Sequence, residues 1–116
     1  MKVLVILNDP AYGSERSYNA LRLASALAKR DGVELRAFLM GDAVGAALAD
    51  QQTPEGYYNL ARMLKGLISH KAKVGLCGTC LDTRGLGSAK FVDGTERSSM
   101  DELAEWAIWA DRVLNF

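Results

Sequence analysis

The sequence predicts an α/β fold: a three-layer sandwich with a mostly parallel sheet of about five strands and helices on both faces. Three observations carry this. The run Val3-Leu4-Val5-Ile6-Leu7 is continuously apolar and β-branched, as a strand covered on both faces requires. Short apolar runs then alternate with longer amphipathic stretches, the pattern of right-handed βαβ units. Turn-forming or Gly-rich loops leave the ends of the first three predicted strands, at Asn8–Gly13, Gly41-Asp42 and Cys77–Gly87.

The elements follow in order. The first strand ends at Asn8-Asp9-Pro10-Ala11-Tyr12-Gly13, a loop. Ser14 has the chemistry of a helix N-cap, with Glu15 favouring the positive helix end. Leu21, Ala24, Leu27 and Ala28 recur at helical spacing, and the helix should stop near Asp31-Gly32. Val33 to Met40 reads as the second strand, and Asp42 as the cap of a short helix through Ala49. Pro54 suits the first turn of the next helix, whose face carries Tyr57, Leu60, Leu64, Leu67 and Ile68 and which ends near His70. Lys73 to Cys77 is a third strand, and Phe91-Val92 the candidate for another short one. Ser99-Met100-Asp101-Glu102 is a capping-box pattern, starting a helix through Ala110. Arg112 to Phe116 is the last strand.

Residues 1–116 fit a single domain. Apolar residues make up 49% and charged residues 24%, a globular composition. Fourteen basic residues balance 14 acidic ones, so no basic excess supports binding to nucleic acid or to an anionic membrane. No stretch is long enough for a signal-peptide core or a membrane span, which makes the cytoplasm the default location. In that reducing compartment a close cysteine pair reads as catalytic, redox or metal-binding before it reads as a staple.

The chain has that pair and no other cysteine: Cys77-Gly78-Thr79-Cys80, at the end of a predicted strand and before the Gly-rich stretch Leu81 to Gly87. If Gly78 opens a short helix, backbone N–H groups face the Cys77 sulfur and favour thiolate or persulfide. Arg84 can add positive charge, and Cys80 is close enough to attack an adduct on Cys77. The bland alternative is two small buried hydrophobes. A zinc site wants four ligands, and this chain offers one pair and a distant histidine, so no metal or other cofactor is expected. That histidine, His70, precedes the strand that Cys77 ends. The separation is roughly 20 Å at about 3.3 Å per residue, so His70 should cap its helix and not serve Cys77 as a base.

Ligands of parallel sheets gather beyond the carboxyl ends of the strands. Asn8, Asp9, Tyr12 and Asp42 therefore join Cys77, Cys80 and Arg84 as candidate pocket residues, against the alternative that they only make turns and caps. Trp106 and Trp109 fill the core or mark a subunit interface.

Val3 to Asn8, Ala11 to Glu15, Leu21 to Ala24, Phe38 to Val44, Leu76 to Cys80 and Ala110 to Phe116 together resemble the DsrE/DsrF-like family over nearly the whole chain, in its YchN-like branch. The resemblance implies a compact α/β fold assembled into homo-oligomers, commonly hexamers in that branch. It also implies a persulfide-carrying cysteine at the end of the third strand, a position that matches Cys77. Cys80 matches the second cysteine of the YchN-like branch, which many sulfur-relay relatives lack. The expected function is sulfur handling on Cys77 with donor and acceptor proteins. A non-enzymatic oligomeric binding subunit and a dithiol redox protein are the alternatives.

Overall fold

A computed structural model describes all 116 residues. Five strands form one sheet: β1 (Lys2–Leu7), β2 (Glu34–Leu39), β3 (Lys73–Cys77), β4 (Thr95–Ser98) and β5 (Arg112–Asn115). Their spatial order is β4-β3-β2-β1-β5, and every neighbouring pair is parallel. All carboxyl ends therefore lie on one rim. The helices are α1 (Arg16–Ala28), α2 (Leu60–Ser69), α3 (Gly78–Thr83) and α4 (Met100–Trp109), with a 3-10 segment at Gly41–Ala47. No helix is long and apolar enough to cross a membrane.

The strand order decides the layers. From β1 to β4 the chain steps one way along the sheet, and from β4 to β5 it jumps back to the far edge. Right-handed crossovers then put α1 and α2 on one face and α4 on the other. The first face is sealed by Ala20, Leu21 and Ala24 of α1 with Leu60, Leu64 and Leu67 of α2, all buried. On the second, Trp106 meets Phe38 edge-on with ring centroids 6.0 Å apart. Gly75 makes that contact possible, since a Cβ there would stand 3.1 Å from the Trp106 ring and 3.2 Å from Phe38. Trp109 is only half-buried, and the Arg36 guanidinium lies over its ring at 3.9 Å.

Several element boundaries depart from the sequence reading. The first helix opens at Arg16, and the residue at its cap position, Glu15, makes no side-chain cap. Ser14, one residue before the cap position, donates to Asp9 Oδ2 at 3.0 Å and accepts from Arg16 N–H at 3.3 Å, so it ties the loop to the first helical residue without occupying the cap. Helix α2 starts six residues after Pro54, at Leu60, because Asn59 supplies the cap: its Oδ1 accepts from Arg62 N–H at 3.1 Å. Tyr57 therefore lies outside the helix and is 68% exposed. Phe91-Val92 is not a strand of the sheet. Val92 N–H bonds the Ala47 carbonyl at 2.8 Å, and Phe91 forms a lone antiparallel bridge with Leu48. The fourth strand is the polar Thr95-Glu96-Arg97-Ser98. The Ser99 cap holds, with its Oγ accepting from Glu102 N–H at 3.2 Å. The Glu102 carboxylate does not complete the box but takes the Ser98 hydroxyl.

Candidate functional site around Cys77

Cys77 is the last residue of β3 and the cap of α3, so one residue ends a strand and opens a helix. The register pairs Phe38 with Gly75 and Cys77 with Ser98. Side chains alternate along a strand, so Cys77 faces the α4 side, next to the start of that helix. Its sulfur accepts from Cys80 N–H at 3.4 Å and lies 3.4 Å from the Thr79 hydroxyl. Burial pushes the Cys77 thiol up, but the hydrogen bonds from Cys80 and Thr79 outweigh it and leave the thiol below its ordinary value. Cys77 retains only 5% of its exposure, and that small opening faces a cavity of about 330 Å³. Gly78, Thr79, Arg97, Ser98, Ser99 and Met100 line the rest of it.

Cys80 has a different environment. Its sulfur accepts from Gly41 N–H at 3.2 Å, which links α3 to the 3-10 segment. Burial and the neighbouring Cys77 push the Cys80 thiol up, against the Gly41 N–H and the Arg84 charge. Both cysteines are free thiols. The pair is thus asymmetric: the first thiol ionises more readily than the second.

Arg84 belongs to the Cys80 side of the site. Its guanidinium grips Asp42 Oδ1 through two N–H groups, at 3.0 and 2.9 Å, and donates to the Cys80 carbonyl at 3.1 Å. The cation on the Cys77 side is Arg97. It forks onto Asp82 at 2.9 and 2.6 Å, and its charge interacts with Cys77. The guanidinium lies over Gly78 so closely that a Cβ there would stand 2.9 Å from Arg97 Nε and 3.0 Å from the Ser98 carbonyl oxygen. Arg97 is missed by sequence reasoning because it sits 20 residues beyond Cys77 on a strand with no apolar pattern. Its one sequence signal is Gly78, a residue that permits close approach.

The other candidate residues share the rim but not the cavity. Asn8 ties β1 to the last residues, donating to Asn115 Oδ1 and the Phe116 carbonyl, both at 2.8 Å. Asp9 accepts from Ser14 and pairs with Arg16 at 3.6 Å. Tyr12 donates to Gln51 and accepts from Leu60 N–H, which anchors the start of α2. His70 ends α2 with Nδ1 2.9 Å from the Gly66 carbonyl, at the opposite rim from Cys77. No group of three or more His, Cys, Asp or Glu side chains converges to hold a metal ion.

The profile of the DsrE/DsrF-like family matches residues 1–116. The chain belongs to that family. It is 44% identical to Protein YchN of Escherichia coli K12 over 116 residues, 99% of this chain and 98% of that one. The crystal structure of the E. coli ychN protein superposes with a TM-score of 0.94 and covers 99% of this chain and 98% of the other. The chain is 27% identical over 128 residues to a protein named Sulfurtransferase TusD from Salmonella arizonae, with both chains fully covered.

Proposed function

We propose that this protein carries sulfane sulfur on Cys77. The observation that supports it most is the asymmetry of the pair: a capping thiol held low by N–H and hydroxyl groups and open to a cavity, beside a second thiol held high. Cys77 thiolate attacks the outer sulfur of a donor persulfide, a new S–S bond forms, and the donor leaves as its thiolate. An acceptor thiolate then attacks the outer sulfur and Cys77 leaves. Cys80 sets the lifetime of the adduct. When ionised it attacks the Cys77 sulfur, expels hydrosulfide and leaves a Cys77–Cys80 disulfide.

Kinship with a protein named a sulfurtransferase favours this reading over a purely structural one. A dithiol redox role is the second reading, favoured by the Cys80 N–H bond to Cys77 Sγ at the start of α3. In either reading Asp42 and Arg84 hold the Cys80 side, while Asn8, Asp9 and Tyr12 shape the rim. The homo-oligomer, a homohexamer by resemblance to the YchN-like branch, fits the apolar surface left open at Met100, Ile108 and Val113.

Mass spectrometry after incubation with inorganic polysulfide tests the carrier role. The expected result is an adduct of about 32 Da, one sulfur atom, that is lost in Cys77→Ser. Its absence from the wild type, or its persistence in Cys77→Ser, removes the proposal.

A further inference from the structure

We infer that the cavity at Cys77 takes small donors whose sulfane sulfur is attached to an oxyanion, the thiosulfate and thiosulfonate class. The inference rests on Cys77 as the carrier and adds the chemistry of the group that loads it.

The lining of the cavity carries the argument. Besides the Cys77 sulfur it presents the Thr79, Ser98 and Ser99 hydroxyls and the Arg97 guanidinium, with Met100 as the large apolar side chain. Ser98 spends its proton on Glu102, and the Ser99 oxygen accepts from Glu102 N–H, which leaves the Ser99 proton free to donate into the cavity. Asp82 occupies the two terminal nitrogens of Arg97, so Nε, the atom nearest Gly78, keeps its N–H. At the start of α4 the Glu102 and Leu103 N–H groups are taken by Ser99, which leaves those of Met100 and Asp101, and the Asp101 and Glu102 carboxylates of the same turn oppose an anion. The free donors suit an oxyanion, whereas an apolar thiol would leave them unpaired.

The opposing charges set the size of the effect. Asp82 offsets the Arg97 charge, and the pair is solvent-exposed. Selectivity therefore comes from fixed hydrogen-bond donors more than from net charge, and it is modest. The bidentate fork is what holds the guanidinium over Gly78.

With thiosulfate the reaction balances without an oxidant or reductant. Cys77 thiolate attacks the outer sulfur, a Cys77–sulfur bond forms, and the bond to the central sulfur breaks. Its electron pair leaves on sulfite. One thiolate and one thiosulfate dianion give one persulfide anion and one sulfite dianion. Arg97 Nε and the Ser99 hydroxyl hold the sulfonate oxygens through the displacement. Arg97 is on this account a positioning residue for the donor.

The test compares two donors and two alkylating agents. Thiosulfate is expected to load Cys77 with one sulfite released per adduct, and Arg97→Gln to slow that loading about tenfold, one hydrogen bond to a charged group. Inorganic polysulfide, which has no oxyanion, is the control: Arg97→Gln also removes a positive charge near Cys77, so its loading should fall too, but severalfold less than loading by thiosulfate, and an unchanged urea-unfolding midpoint shows that the variant folds. Iodoacetate should alkylate Cys77 faster relative to iodoacetamide than it does a free thiol, and Arg97→Gln should remove that preference. Loading by polysulfide but not thiosulfate overturns the inference and leaves the carrier role standing. Equal losses with both donors in Arg97→Gln also overturn it, by making Arg97 merely structural. If neither donor loads Cys77, the carrier role and this inference fall together.

Discussion

At the scale of single residues, the site depends on which of two neighbouring sulfurs ionises first. Cys77 receives N–H and hydroxyl hydrogen bonds that lower its pKa from the ordinary 9.0, while burial and the Cys77 charge raise that of Cys80. Alkylation against pH should therefore show two steps, with Cys77 modified in the lower one, below pH 9.0, and Cys80 above it. Peptide mapping after brief iodoacetamide treatment reads this, and Cys80 reacting first would contradict the asymmetry. The stability linkage has opposite signs at the two sulfurs. The lowered Cys77 contributes stability that is present above its ordinary value and lost as pH falls through the folded one. The raised Cys80 contributes stability that is present below its ordinary value and lost as pH rises through the folded one. The two partly cancel, so reactivity is the better readout.

The cysteine spacing was legible in the sequence, as were the strand end and the helix that follows. So was the exclusion of His70, because a strand separates residues at its two ends by its own length. Arg97 was not legible. Its role depends on β4 lying beside β3, and the sequence of β4 is too polar to announce a strand. Arg84 was visible as a nearby cation, but sequence distance alone did not reveal that Asp42 holds it on the Cys80 side.

At the scale of elements, the proposed carrier site is built on the junction β3–α3. Strand and helix meet at Cys77 with no loop between them, and Gly78 is the hinge residue that lets β4 approach. Gly78→Ala places a methyl group 3.0 Å from a backbone carbonyl of β4, which cannot move without shifting the strand. The expected cost is about 1–3 kcal/mol, the range for overpacking at a close contact. Urea unfolding should show the midpoint falling with the slope unchanged, and a midpoint equal to wild type would show that the strand yields freely. The misplaced boundaries have one common cause. Pro54 and Ser14 are good helix starters in isolation, but a chain has several such residues, and tertiary contacts choose among them. Asn59 wins at α2 because it is buried there with its Nδ2 on the Gln51 carbonyl at 3.0 Å.

At the scale of the whole molecule, the layers are unequal. Two helices cover one face of the sheet, and α4 covers the other beside an edge strand, β5, whose residues are mostly exposed. Ile108, 87% exposed on α4, and Val113, 46% exposed on β5, leave apolar surface open. Light scattering should give a mass that is a multiple of the 12.6 kDa chain, as the proposed homo-oligomer requires. A mass equal to one chain would remove the assembly from the proposal.

The sequence by itself determined the fold class, the parallel sheet, the end of the third strand and the cysteines placed there. Each of these follows from short-range periodicity and from the chemistry of turns, which a linear chain displays directly. Only the tertiary structure decided which cation stands by which sulfur, which residue caps α2, and that the fourth strand is Thr95–Ser98. Those depend on strand neighbours and crossovers that join residues far apart in the chain, and the spacing of residues along a chain does not record what the fold sets side by side.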